Sequence, residues 1–199
     1  GAAVATYSIV SDTQITATSP SGTAGPADVT VTTPGGTSAI SAADRFTYVA
    51  VPTVTGLSPI AGPTAGGTSV TITGTGFLAA ASTGAVKFGA GVATYSIVND
   101  TQITATSPSG TAGLVNVTVT TPGGTSAISA ADQFTYVAAP TIGAPSPASG
   151  PAAGGTAVTL TGTNLTGATL TVDGASVTPT GSTATTLTFT TPAHAGGAV

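Results

Sequence analysis

The chain has no cysteine, methionine, tryptophan or glutamate, and a single histidine, in 199 residues. Without cysteine there is no disulfide, no thiolate nucleophile and no cysteine-based zinc site. Without glutamate, any carboxylate chemistry falls to six aspartates. Charge is scarce too: charged residues are 4% of the chain, against about 25% in an ordinary soluble domain. The two cations, Arg45 and Lys87, cannot make the basic stripe that displaces counterions from a polyanion. With a net charge of −4 and a pI near 4.1, nucleic acid is excluded as a partner. No run approaches the roughly 18 apolar residues of a membrane span, so no membrane insertion is expected. The mean hydropathy of +0.44 comes from dispersed alanine and valine. No signal peptide opens the chain, and GAAVATYSIV reads as the interior of a longer protein. The missing cysteines fit an extracellular or a reducing compartment equally well.

What is present is threonine, 44 residues of it, with glycine and proline together supplying 42. Leu, Ile, Val and Phe number 40, at the lower edge for a folded chain. Disorder would also call for high net charge, which is lacking. Thr and Val are β-branched and favour strands. Composition therefore predicts an all-β protein with many turns.

An internal repeat sets the architecture. Residues 1–50 match residues 89–138 at an offset of 88, and only six positions differ: Ala3/Gly91, Ser11/Asn99, Pro26/Leu114, Ala27/Val115, Asp28/Asn116 and Arg45/Gln133. A weaker match joins PTVTGLSPIAGPTAGGTSVTITGTGF (from Pro52) to PTIGAPSPASGPAAGGTAVTLTGTNL (from Pro140). An 88-residue unit exceeds the roughly 20–45 residues of a solenoid repeat and suits a sandwich domain near 100 residues. Residues 1–50 are read as the C-terminal part of one repeat, 51–139 as a complete repeat and 140–199 as the N-terminal part of a third.

Inside the complete repeat, apolar and polar residues alternate with a period of two, the signal of a half-buried antiparallel strand. SVTITGT (Ser69–Thr75) sets Val70 and Ile72 on one face. Residues 101–106 set Ile103 inward, residues 114–121 do so for Val115, Val117 and Val119, and Gln133–Val137 for Phe134 and Tyr136. Gly62-Pro63, Gly66-Gly67 and Pro122-Gly123-Gly124 punctuate the strands. No run has a helical period with caps. The expected core is Val70, Ile72, Phe77, Phe88, Ile103, Val117, Val119, Phe134 and Tyr136. The junctions Tyr48-Val49-Ala50-Val51-Pro52 and Tyr136-Val137-Ala138-Ala139-Pro140 run from a last strand directly into a first strand, with Pro narrowing the backbone, so stiff joints are expected.

The opening motif from Pro52, with DTQITATSP, VNVTVTTPGGTS and DQFTYV in that order, resembles the IPT/TIG domain family over essentially the whole chain. The resemblance implies tandem immunoglobulin-like β-sandwiches of the early-set type. It also implies a bacterial setting in secreted or cell-surface proteins, including adhesins, or beside secreted carbohydrate-active enzymes. The family has no shared catalytic residues. The third repeat departs from the pattern: its centre, Val172 to Val177, is shorter, and it has no equivalent of Tyr95.

Candidate sites are few. His194 could join Asp173 in a Ser/His/Asp arrangement, but no G-x-S-x-G elbow exists, and an exposed loop histidine is the simpler reading. The repeated aspartates, Asp12/Asp100 and Asp44/Asp132, precede strands and are read as turn residues bonding their own backbone; no D-x-D-x-D run offers calcium its converging oxygens, so a calcium site at a domain junction is the weaker alternative. Tyr7, Tyr48, Tyr95, Tyr136, Phe46, Phe88 and Phe134 could stack on sugars, but an aromatic-poor core needs most of them. The Thr-rich outward positions (Thr71, Thr73, Thr104, Thr106, Thr118, Thr120) are read as an uncharged hydrated surface. O-glycosylation and lateral or mineral contact are the sharper alternatives. Asn99, Asn116 and Asn164 head N-x-[ST] sequons.

The sequence thus predicts no catalytic residue, no metal and no cofactor. The expected function is an extracellular or cell-surface structural and adhesive array, a stalk or filament. Its expected partners are neighbouring repeats of the same chain or identical chains, and surface glycans or cell-surface proteins; head-to-tail strand exchange at the cut ends is the weaker alternative to a longer continuous array, which gives the same boundaries. The alternative is a glycan-binding accessory module of a secreted carbohydrate-active enzyme. Near-identical neighbours carry a risk of misassembly, because swapped strands fit almost as well.

Overall fold

The computed structural model describes residues 4–80 and 85–194, and these are all-β. The chain divides into two compact units, residues 1–135 and 136–199.

Residues 51–139, the expected complete repeat, are built on two antiparallel sheets. One has the order Thr94–Asn99, Gln102–Thr106, Ser69–Thr75, Thr53–Ser58. The other has the order Gly91–Val92, Val86–Phe88, Gly113–Thr121, Gln133–Val137, Ala61–Pro63. Period-two alternation turns the same side of each strand inward. Ile72 lies opposite Ile103 and Val70 opposite Ala105 on the first sheet, and Val86 opposite Val119 and Phe88 opposite Val117 on the second. All eight are buried, and so are Phe77, Phe134 and Tyr136. Phe88 and Phe134 meet edge to face at 5.1 Å between centroids, the favoured geometry for an aromatic pair. The outward positions on the first sheet include hydroxyls and two amides: Thr104 opposite Thr71 and Ser96, Thr106 opposite Ser69 and Thr94, Gln102 opposite Thr73 and Asn99.

Residues 4–50 repeat the local structure without the burial. Strands Thr6–Ser11 and Gln14–Thr18 pair with the register of Thr94–Asn99 and Gln102–Thr106, including the same bulge before the turn. Strands Gly25–Asp28 and Arg45–Tyr48 pair next to the short ladder Thr32–Thr33 with Gly36–Thr37. Ile15, Val29, Val31 and Phe46 are 41%, 53%, 44% and 45% exposed, whereas Ile103, Val117, Val119 and Phe134 are fully buried.

In the second unit, the sheet Thr141–Ile142, Ala157–Thr163, Thr186–Thr190, Gly181–Ser182 and the hairpin Leu170–Val172 with Ala175–Val177 enclose Val158, Leu160, Leu165, Leu187 and Phe189. Two features recur at the repeat offset. Ser58-Pro59 and Ser146-Pro147 are cis, and Gly66-Gly67 and Gly154-Gly155 take the same left-handed pair of φ values, near 80°. A side chain on Gly66 or Gly154 would also meet the backbone of Pro108 or Pro192, so both reasons demand glycine there.

Among the described residues helix is confined to three single 3₁₀ turns, Ala42–Asp44, Phe77–Ala79 and Ala130–Asp132, none of which the alternation pattern foresaw. At Ala42–Asp44 and Ala130–Asp132, Ser41 and Ser129 accept from the backbone while Asp44 and Asp132 accept from the Ser41 and Ser129 N–H groups. The signal was present as Ser-Ala-Ala-Asp, the S-x-x-D capping box written on one turn.

Candidate functional site

One feature outside the core lies where residues 4–50 meet residues 51–135. Strand Arg45–Tyr48 leads through Val49, Ala50 and Val51 to Pro52, which is buried. Against this linker stands the turn Pro122-Gly123-Gly124. It is tied by the Gly123 N–H to Thr121 Oγ1 at 3.2 Å and by a Thr120–Thr125 hydroxyl pair at 2.9 Å. A Cβ on Gly123 would come within 2.5 Å of the Val49 carbonyl oxygen and closer still to that of Ala50. A Cβ on Gly124 would lie 3.3 Å from Val51, and its φ of +130° already favours glycine. The linker backbone therefore rests on a surface that only glycine leaves free. A pocket lined by Ser19, Phe46, Thr47, Tyr48, Val49, Pro122 and Gly123 opens beside it. Phe46 and Tyr48 meet edge to face at 5.0 Å, and the Tyr48 hydroxyl donates to the Pro20 carbonyl at 2.9 Å.

The repeated aspartates do different work. Asp100 does not bond its own turn: its carboxylate oxygens accept from the Gly76 and Leu78 N–H groups at 3.4 and 3.3 Å, and its carbonyl accepts from Phe77. The turn is closed instead by Asn99, whose Oδ1 accepts from the Thr101 N–H and hydroxyl, both at 2.8 Å. Asp100 thus caps a one-turn helix from the turn of another hairpin, a non-local role with no local spacing to announce it. Asp132 is fully buried; one carboxylate oxygen accepts from Ser129 at 2.7 Å, and the other is buried without a partner.

His194 and Asp173 are brought together, Nε2 to Oδ2 at 3.2 Å, on an exposed surface with side chains 59% and 78% accessible. No serine is bonded to this pair among the described residues, so the geometry has no nucleophile to activate. Among the described residues no group of three or more His, Cys, Asp or Glu side chains could hold a metal ion.

Of the aromatic side chains, Phe88, Phe134 and Tyr136 are core and Tyr95 is half-buried. The Tyr95 hydroxyl is buried with no hydrogen-bond partner, and burial raises the phenols of Tyr95 and Tyr136 above their ordinary value. Tyr7 and Phe46 are exposed, but their counterparts in the complete repeat turn inward. Arg45 pairs with Asp28 at 3.5 Å across Arg45–Tyr48 and Gly25–Asp28, and both residues are neutral in the complete repeat, as Gln133 and Asn116.

The fold defines a tandem immunoglobulin-like β-sandwich protein. The chain belongs to the IPT/TIG domain family, whose model matches residues 1–48, 52–136 and 140–199. No curated protein matches it. Among solved structures it is similar to the plexin A4 extracellular region, at 27% identity and a TM-score of 0.47, over 89% of this chain and 16% of that one. It is also similar to SGBP-B from a complex xyloglucan utilization locus in Bacteroides uniformis, at 19% identity and a TM-score of 0.36, over 79% and 42%. The chain therefore spans less than half of either protein. No helix among the described residues is long and apolar enough to cross a membrane.

Proposed function

We propose that this chain is a non-catalytic segment of an extracellular bacterial repeat array, acting as a stalk or filament that holds other groups at a distance. Its organisation is the C-terminal part of one repeat in residues 1–50, a complete repeat in 51–139 and the N-terminal part of another in 140–199. One observation carries the reading: the linker carbonyls of Val49 and Ala50 lie against Gly123 of the next repeat, closer than any side chain there would allow. A freely jointed string of domains has no use for such a contact, because it fixes the angle at which one repeat enters the next. The sparsely charged, hydroxyl-covered exterior suits weak repeated contact with neighbouring chains, glycans or cell-surface proteins. The alternative, a glycan-binding accessory module, calls for an exposed aromatic platform, and the complete repeat turns its Phe88, Phe134 and Tyr136 inward.

Electron microscopy of tandem copies of the 88-residue unit tests the reading. Straight or regularly curved rods with one repeat-to-repeat angle are expected. Particles with unrelated angles at successive joints would overturn it.

A further inference from the structure

The chain has three asparagines, and each heads an N-x-T sequon: Asn99-Asp100-Thr101, Asn116-Val117-Thr118 and Asn164-Leu165-Thr166. Threonine is so abundant here that spacing alone does not choose among them. Their geometry does. Asn116 is half-buried inside strand Gly113–Thr121, where Val117 and Thr118 pair with Phe88 and Lys87 and its own carbonyl accepts from the Gly89 N–H at 2.8 Å. Residues two apart in an extended strand stand about 6.6 Å apart, so this ladder does not fold the Thr118 hydroxyl back onto the amide. Asn164 is exposed, but its Nδ2, the atom a sugar would take, already donates to the Ala139 carbonyl at 3.3 Å. The Leu165 between it and Thr166 is buried.

Asn99 differs on each count. It is exposed at the end of strand Thr94–Asn99, and its sequon is the hairpin turn itself, with Gln102 opposite. Both Thr101 donors, the backbone N–H and the hydroxyl, converge on Asn99 Oδ1 at 2.8 Å each. An N–H can only donate, so the atom facing it is the amide oxygen. Asn99 Nδ2 is left without a protein partner among the described residues. Residues 74–78 hold the turn in this shape. The carbonyls of Asp100 and Thr101 accept from the Phe77 and Gly74 N–H groups at 3.1 and 3.0 Å, and the Asp100 carboxylate accepts from Gly76 and Leu78. The preceding copy keeps a similar turn without the amide: Ser11 Oγ accepts from the Thr13 N–H at 3.3 Å and lies 3.2 Å from its hydroxyl.

We infer that Asn99 is an acceptor for N-linked glycosylation in the folded chain, and that Asn116 and Asn164 are not. The chemistry follows from the turn. An amide nitrogen is a poor nucleophile because its lone pair is delocalised into the carbonyl. Two hydrogen bonds on Oδ1 stabilise the negative charge that gathers on the oxygen as Nδ2 gives up a proton, and donors placed where charge develops lower a barrier. The co-substrate is a glycosyl diphosphate, carried on a nucleotide or a lipid, and a transferase supplies the base. Nδ2 attacks the anomeric carbon. The Nδ2–C1 bond forms as the C1–O bond to the diphosphate breaks, the base takes the Nδ2 proton, and the diphosphate leaves. A sugar on this turn does not depend on how successive repeats are joined, so it and the array reading stand or fall separately.

The test incubates the full chain, folded and unmodified, with an N-x-[ST]-specific transferase and UDP-glucose, and separately with one that uses a polyprenyl diphosphate oligosaccharide. Intact mass counts the sugars added, and peptide mapping locates them. The expected result is one sugar, on Asn99, with at least one of the two donors, and none on N99Q; the donor that works identifies the carrier. Unfolding the chain first should add sugar at Asn116 and Asn164, which separates a choice made by the fold from a sequence preference of the enzyme. Thr101 is exposed, so its variants should fold, and thermal unfolding verifies this. T101S keeps the hydroxyl and should remain an acceptor. T101V loses it and should slow transfer by about 100-fold, the usual cost of one donor at a developing charge. A folded chain that stays bare at Asn99 with both donors overturns the inference, whether or not the unfolded chain is modified. So does transfer to folded Asn116 or Asn164 as fast as to Asn99, an unfolded chain still modified at Asn99 alone, or T101V modified as fast as the parent.

Discussion

Replacing Gly123 by alanine adds one methyl group at the point where two carbonyl oxygens, of Val49 and Ala50, already sit within 2.5 Å of its position. The obstacle is backbone, not the end of a flexible side chain, so it cannot rotate away. Either the turn moves off the linker or the linker lifts off the turn. Overpacking of this kind costs about 1–3 kcal/mol, and each kcal/mol lowers the melting temperature of a domain this size by roughly 4–8 °C. The chain supplies its own control. Gly35 stands in the same Pro-Gly-Gly turn of the preceding copy, where an added Cβ would touch only the Thr33 hydroxyl at an ordinary 3.5 Å. G35A should therefore change stability by less than about 0.5 kcal/mol, as exposed substitutions usually do. Two measurements separate the variants. Denaturant unfolding followed by circular dichroism gives the stability. Spin labels on cysteines introduced at the exposed, equivalent positions Ser8 and Ser96 give the distance distribution between repeats, which should be narrow for the parent and G35A and broad for G123A. If G123A matches G35A in both stability and distance distribution, the linker does not rest on the turn and the stiff joint is wrong.

Three further outcomes follow from the complete repeat. Tyr95 buries a hydroxyl with no partner, so Y95F should leave stability unchanged or raise it by about 1 kcal/mol, read from the denaturant midpoint. A loss larger than that would mean the hydroxyl is bonded. The folded state holds the phenol protons of Tyr95 and Tyr136 to higher pH than the unfolded chain does. Their contribution is thus intact below about pH 10 and lost as pH rises through the raised folded values. A stability curve that stays flat above pH 10 would contradict this. F134A should cost about 3–5 kcal/mol and F46A far less, because Phe134 is fully buried and Phe46 is 45% exposed. Comparable losses would show that residues 4–50 have a packed core in solution.

Much of the fold was legible because it is local. The hairpin at Thr6–Ser11 and Gln14–Thr18 and its copy at Thr94–Asn99 and Gln102–Thr106 share sequence, register and bulge, although only one of them is covered by another strand. Alternation and turn residues are enough to set such a hairpin. The contact at the joint was not legible: proline and the short spacing led to the expectation of a stiff connection, but nothing near Gly123 in the chain points to Val49 and Ala50, which lie more than 70 positions away. Asp100 escaped the local reading for the same reason, since its partners Gly76 and Leu78 belong to a loop over 20 positions earlier. The capping boxes at Ser41 and Ser129 were spelled out locally as Ser-Ala-Ala-Asp, but a search for helical periodicity passes over a helix of a single turn.

The two copies also separate what a strand is from what it buries. Ile15 and Ile103 occupy the same place in the same hairpin, opposite Ile9 and Ile97, yet one is 41% exposed and the other 0%. The difference is strand Ser69–Thr75, which pairs with one hairpin and not the other. Local sequence therefore decides strand, turn and register, and pairing at a distance decides which copy becomes core.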